Sequence, residues 1–201
     1  MKRILSAVAI ATTFAAFAGC SGSKSATAPY GTGDPGLGAA GPTGSVSPFL
    51  TDGQAVMHGL DAIAARSGQP LRVTQVTVNA AGGLIVDVRE AAQHGLLSRY
   101  MVASNGTILG PIPVKLVSGG VVRTAADIQH MVFDPKAVPF AQLARAERDA
   151  IAMAKLPSLR VSQWDVGGLG PHSRRVMLLE NDNGRRIVVL DPQFHVAQIH
   201  A

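Results

Sequence analysis

The chain is predicted to be an α+β protein of two tandem helix-plus-antiparallel-meander units, following an N-terminal export segment and a linker. Three observations predict it. An eighteen-residue stretch recurs 88 residues later with nine identities, each copy reads as a helix followed by alternating strands, and the first 48 residues carry neither pattern.

Lys2 and Arg3 open the chain, residues 4–18 carry no charge, and Gly19-Cys20 follows. A basic start, an apolar run and small residues before a break form the layout of a secretory signal. The uncharged run continues to Ser23 and so reaches the roughly 20 residues that can span a bilayer. It is rich in alanine and threonine, however, and Gly and Ser stand where a span needs apolar side chains, so cleavage before Cys20 is expected. Cys20 is the only cysteine in the sequence, so the folded body must be stable through its core rather than through a disulfide. Residues 21–48 are dominated by Gly, Ser, Pro, Ala and Thr and cannot bury enough apolar surface to fold. As a flexible linker they would have a root-mean-square span of roughly 30 Å. The expected organisation is a signal peptide over 1–19, Cys20 and a flexible linker over 20–48, a first repeat over 49–116, a connecting segment over 117–138 and a second repeat over 139–201.

The first repeat opens with Thr51-x-x-Gln54, the form of a capping box. Val56, Leu60, Ile63 and Ala64 make an apolar helical stripe, and Gly68 supplies the stop. Strands are predicted over 71–78, 84–90, 99–104 and 107–109, with Asn105-Gly106 as a hairpin turn between the last two. Residues 112–116 are expected to prolong the first sheet, and in the connecting segment Thr124 caps a short helix ending before Asp134-Pro135. The second helix carries Phe140, Leu143, Ala144, Ile151 and Ala154 on its stripe, with Glu147 at the edge, and Pro157 ends it. Strands follow over 159–166, 174–181, 185–191 and 194–200. The repeat itself is explicit. Residues 61–78 read DAIAARSGQPLRVTQVTV and residues 149–166 read DAIAMAKLPSLRVSQWDV. Ile63 is expected over Ile151, and Val76 over Trp164.

Face assignments come from parity. Leu84, Val86 and Val88 are expected to pack on the first helix, with Ile85, Asp87 and Arg89 in water. Aligning Glu90 with Glu180 puts Val176 and Leu178 on the helix side of the second sheet, and Met177 and Leu179 on the other. A turn at Asn183-Gly184 then sets Leu179 against Val188 and Met177 against Leu190. These four form an apolar outer face, which an antiparallel sheet has only when something covers it. The expected cover is the first repeat, the segment around 128–133, or a protein partner, which makes the four a candidate binding surface.

No nucleophile elbow, phosphate-binding loop, His-Glu-x-x-His or paired-cysteine motif is present, so no cofactor and no metal are expected. The six histidines, His58, His94, His130, His172, His195 and His200, are dispersed. His195 and His200 differ in strand parity, which argues against a shared metal. Asp61 and Asp149 recur at the same place in both copies and are expected as solvated helix-flank acids paired with arginines such as Arg66 or Arg145. Trp164 replaces an apolar residue of the other copy and is expected in the core. Without Lys2 and Arg3, sixteen basic residues face thirteen acidic ones. That small excess and the scarcity of aromatic rings argue against nucleic acid as a partner.

Phe17-Ala18-Gly19-Cys20 resembles the lipobox of bacterial lipoproteins. The resemblance implies a diacylated Cys20 as mature N-terminus, a membrane anchor, and, with Ser21 rather than Asp next, an outer-membrane position facing the periplasm. The helix with its Ala-Ile pair, the strand and the hairpin at Ser104-Asn105-Gly106-Thr107-Ile108-Leu109 resemble the PepSY domain. That resemblance implies a module that binds or restrains a peptidase, over 51–110 and more loosely over 139–201. In the second copy Asp191-Pro192 stands where the first has Ser104-Asn105. The architecture is also similar to lipoproteins of outer-membrane assembly and β-lactamase inhibition. The expected function is therefore a non-catalytic protein-binding or scaffold lipoprotein. A hydrolase with a site between the repeats and a purely structural envelope component are the alternatives.

Overall fold

The computed structural model describes residues 47–81, 83–91, 96–114, 117–118, 121–122, 124–167, 174–182 and 184–201. Cys20, the export segment and the linker up to Val46 lie outside the described residues, as do His94 and His172.

The protein is α+β. Helix α1 (Gly53–Ser67) precedes strands β1 (Val73–Asn79), β2 (Gly83–Arg89), β3 (Leu97–Val102) and β4 (Ile108–Pro113). A small hairpin, β5 (Val117–Ser118) and β6 (Val121–Val122), leads to α2 (Ala125–Met131). Helix α3 (Leu143–Ala154) is followed by β7 (Arg160–Gly167), β8 (Arg174–Asn181), β9 (Gly184–Leu190) and β10 (Val196–His200). One eight-stranded antiparallel sheet results, in the order β10-β9-β8-β7-β1-β2-β3-β4. Two four-stranded meanders thus meet at a central β1·β7 pair.

Helix ends follow local chemistry. The expected Thr51 box is replaced by Asp52, whose Oδ1 accepts from the Gln54 N–H at 2.8 Å. Asp competes well for this position because it relieves an orphan donor directly. At the other end Gly68 takes φ 68°, a left-handed conformation that glycine adopts without a Cβ penalty. Thr124 does cap α2, in a reciprocal box with Asp127. Helix α3 is entered through a 3-10 turn, Phe140–Gln142, and closes on Lys155 with φ 53°. That entry turn lies against α1 so tightly that a Cβ on Gly53 would stand 2.0 Å from the Phe140 carbonyl oxygen.

The core lies on the helix side of the sheet. Val56, Leu60 and Ile63 of α1 and Leu143, Ala146 and Ala150 of α3 pack on Val76, Val78, Leu84, Val86, Trp164, Met177, Leu179 and Val188. Trp164 is buried as expected, tilted against Phe140, with its indole N–H donating to the Phe49 carbonyl at 3.1 Å. Ile63 is fully buried, whereas Ile151 is only partly so.

Two parts of the face assignment are corrected. Met177 and Leu179 are 0% exposed on the helix side, and Val176 and Leu178 are the half-buried residues of the opposite face. The reason is a difference in link length: three residues join β1 to β2, but six join β7 to β8. Val76 pairs with Val86 and its counterpart Trp164 with Met177, so the true offset in this strand is 91 and not 90. One residue of slip exchanges every side chain between faces. The β8–β9 turn is likewise one residue earlier than expected: Asn181 faces Gly184, Met177 faces Val188 rather than Leu190, and Leu179 faces Arg186.

The two meanders share details at one spacing. Val76 pairs with Val166 and Val78 with Trp164, so Thr77 and Asp165, 88 residues apart, face each other at the centre of the register. Val102 pairs with Ile108, and Leu190 with Val196. The Ala103 N–H donates to Thr107 O and the Gly106 N–H to Ala103 O. The Asp191 N–H donates to His195 O and the Phe194 N–H to Asp191 O in the same pattern. Phe194 even adopts φ 62° where Gly106 has φ 83°. Asp191-Pro192 therefore corresponds to Ala103-Ser104, and the second turn keeps the shape of the first without its glycine.

Candidate functional site

Alternation along the strands puts Gln75, Thr77, Asp87, Arg99, Asp165 and Arg174 on the face turned away from α1 and α3. Asp87 and Arg99 stand directly opposite each other on β2 and β3. Arg99 donates from Nε to Asp87 Oδ1 at 2.7 Å and from Nη2 to Oδ2 at 2.9 Å, a two-pronged pair. Asp165 on β7 accepts from Thr77 Oγ1 at 2.9 Å and from Gln75 Nε2 at 2.9 Å on one oxygen, and from Arg174 on the other. Gln75 Nε2 also donates to Thr77 Oγ1 at 3.1 Å.

Both carboxylates are 5% exposed, which would be costly for an unpaired charge. Each is neutralised by an arginine that remains about half exposed, 42% for Arg99 and 54% for Arg174. The hydrogen bonds that Arg99 donates to Asp87 raise its pKa, against the opposing effect of its burial. The carboxylates are thus consumed as acceptors, while two guanidinium groups reach the surface with donors left over. Such groups recognise carbonyl or anionic partners by hydrogen bonding.

Half-buried apolar residues flank this centre. Ile85 faces Thr77 and Met101, Val176 faces Asp165 and Val189, and Leu178 faces Ile187. Part of the face is covered: α2 packs on β1, and Gln129 receives a hydrogen bond from Arg89. Helix α2 therefore lies over part of the first meander and leaves Arg99 half exposed.

Of the residues singled out from sequence, Met177, Leu179, Val188 and Leu190 do come together, but inside the chain's own core. Helix α3 packs on β9 and β10, and Phe140 and Phe194 join the same cluster. Asp61 is a surface acid whose partner is Lys136 Nζ at 3.2 Å rather than Arg66. Arg66 instead donates from Nε and Nη2 to the Gly110 carbonyl at 3.2 and 3.0 Å. Arg145 reaches the Gln193 carbonyl at 3.2 Å. His195 pairs with Asp191 at 3.0 Å. Hydrogen bonds to the Asp191 carboxylate from the backbone and ring of His195 and the backbone of Gln193 hold its pKa below the ordinary carboxylate range. Among the described residues no three His, Cys, Asp or Glu side chains are placed to hold a metal ion, and no helix is long and apolar enough to cross a membrane.

The Gln75-Thr77-Asp165-Arg174 network was missed from sequence. Its one visible signal was that Thr77 and Asp165 occupy the same polar position of the repeated stretch. A separate cleft of about 460 Å³ lies beside the end of α1, floored by Leu60, Ala64 and Leu71, with Arg72, Asp134 and Lys136 at its rim.

No protein-family model matches the sequence, and no curated protein matches it. Among solved structures, a crystal structure from Clostridium difficile 630, provisionally described as a lipoprotein, is similar at a TM-score of 0.47 and 8% identity. The alignment covers 72% of this chain and 91% of that one. A likeness at that level carries no argument about function.

Proposed function

We propose that this protein is an envelope lipoprotein, tethered through lipid on Cys20, whose body is a duplicated, non-catalytic protein-binding module. The observation that carries the tether is the sequence itself: Lys2-Arg3, the uncharged run over 4–18 and Ala18-Gly19-Cys20. Each buried methylene contributes about 0.8 kcal/mol, so two or three acyl chains on one cysteine suffice for stable anchoring. Ser21 favours the outer membrane, with the body in the periplasm.

Duplication is supported by the common 88-residue spacing in the repeated stretch, in the β1·β7 register and in the two strand-joining turns. Binding is supported by the open sheet face, where half-exposed Arg99 and Arg174 stand among half-buried Met101, Val176 and Leu178. Apolar surface with arginine donors is the composition of a protein-recognition surface. The PepSY resemblance makes a peptidase the first partner to test.

The experiment is affinity capture from solubilised envelope with the full-length tagged protein. It is compared with an Arg99→Ala/Arg174→Ala variant of the open face and a Met153→Ala variant on exposed α3 surface. Partners retained by the native and Met153→Ala proteins and lost from the arginine variant support the reading. Identical captures from all three contradict it.

A further inference from the structure

The two edges of the sheet occupy corresponding places, since Ile108 opens β4 as Val196 opens β10 and each pairs with the corresponding end of its neighbour, Val102 or Leu190. They are treated in opposite ways. On β4, Pro111 and Pro113 have no N–H to offer, and the Gly110 carbonyl is taken by two donors from Arg66. These are the devices by which proteins close a sheet edge to further pairing. On β10, the sequence Val196-Ala197-Gln198-Ile199-His200 contains no proline and no lysine, arginine, aspartate or glutamate. Among the described residues no strand pairs with its outer edge. The strand is also held firmly, with Val196 and Ile199 packed on the core and α3 beneath it.

We infer that β10 pairs antiparallel with β10 of a second copy of this chain, joining two eight-stranded sheets into one. Self-pairing places each residue against a residue of the same short segment. A strand without fixed charge meets no like-charge repulsion there, and a charged one would. A second copy fits better than an open series of partners because the blocked β4 edge ends growth on each side. A two-fold contact that consumes the β10 edge of each copy closes at the dimer, as isologous interfaces do. The inference does not depend on lipidation or on the open-face binding reading.

The test uses the full-length chain purified from membranes in detergent. Gln198→Cys, exposed on β10, is compared with Ile112→Cys, exposed on the blocked β4 edge, and with the native chain to report any coupling through Cys20. Each is treated with a short bismaleimide, and the native mass is followed by sedimentation over a concentration series. Self-pairing predicts a cross-linked dimer from Gln198→Cys well above both controls, and a native mass that rises to that of two chains and no further. Cross-linking of Gln198→Cys no greater than that of Ile112→Cys, or a native mass of one chain throughout, would overturn it.

Discussion

Leu179 and Leu178 are adjacent, chemically identical and opposite in fate. The first is 0% exposed in the core on the helix side, and the second is half-buried on the opposite face. Replacing a fully buried leucine by alanine costs about 2–5 kcal/mol through lost transfer energy and the cavity left behind. For a body of this size each kcal/mol moves the melting temperature by about 2–4 °C, so Leu179→Ala at about 3 kcal/mol should lower it by about 6–12 °C. Leu178→Ala surrenders only part of its burial and opens no closed cavity, and it should cost about 1 kcal/mol or less. Trp164 is the only tryptophan in the sequence and is 2% exposed, so its fluorescence reports unfolding without a label. Equal shifts from the two variants, or the larger from Leu178→Ala, would refute the face assignment and with it the register of β8.

Phe194→Gly would relieve a left-handed backbone worth about 1–2 kcal/mol but remove a ring that is 1% exposed and edge-on to Phe140. Loss of such a ring costs about 3–5 kcal/mol, so denaturant unfolding should show a net loss of about 2 kcal/mol. Lys155→Gly meets the same backbone preference at an exposed position with no packing to lose, and should raise stability by about 0.5–1 kcal/mol in the same assay. Burial on α3 raises the Glu147 pKa above the ordinary carboxylate range, against a weaker opposing effect of Arg148. The folded state therefore holds this proton more tightly than the unfolded one. Its contribution is fully present below the unfolded pKa and is lost as pH rises through the folded value. Glu147→Gln should leave the melting temperature unchanged near about pH 4 and raise it near about pH 7. A rise at both would mean that packing, not ionisation, is responsible.

Local chemistry written in short stretches was legible before any coordinates. Asn105-Gly106 turns, Gly68 stops α1, Thr124 caps α2, and Trp164 enters the core where Val76 does. Parity was not legible in β8, because it depends on the number of residues in a link, and the β7–β8 link is three residues longer than the β1–β2 link. Those extra residues place Met177, Leu179, Val188 and Leu190 in the core, where equal links would have put them on the surface. The second hairpin turn was hidden for a different reason: an aromatic residue, Phe194, holds the backbone angle that glycine marks in the first, with its ring buried in the core and the Asp191 carboxylate accepting from the Gln193 and His195 N–H groups. The polar centre around Asp165 joins residues up to 90 positions apart. Pairing of β1 with β7 creates it, and no local motif announces it.

The tether is the central claim, and intact mass of the mature protein tests it most directly. Protein extracted from membranes should begin at Cys20, carry the added mass of a diacylglyceryl group with or without a third acyl chain, and lose both that mass and its membrane fractionation in the Cys20→Ser variant. A mature chain that begins elsewhere, or that remains in the membrane at unmodified mass with Cys20 free, would contradict the account.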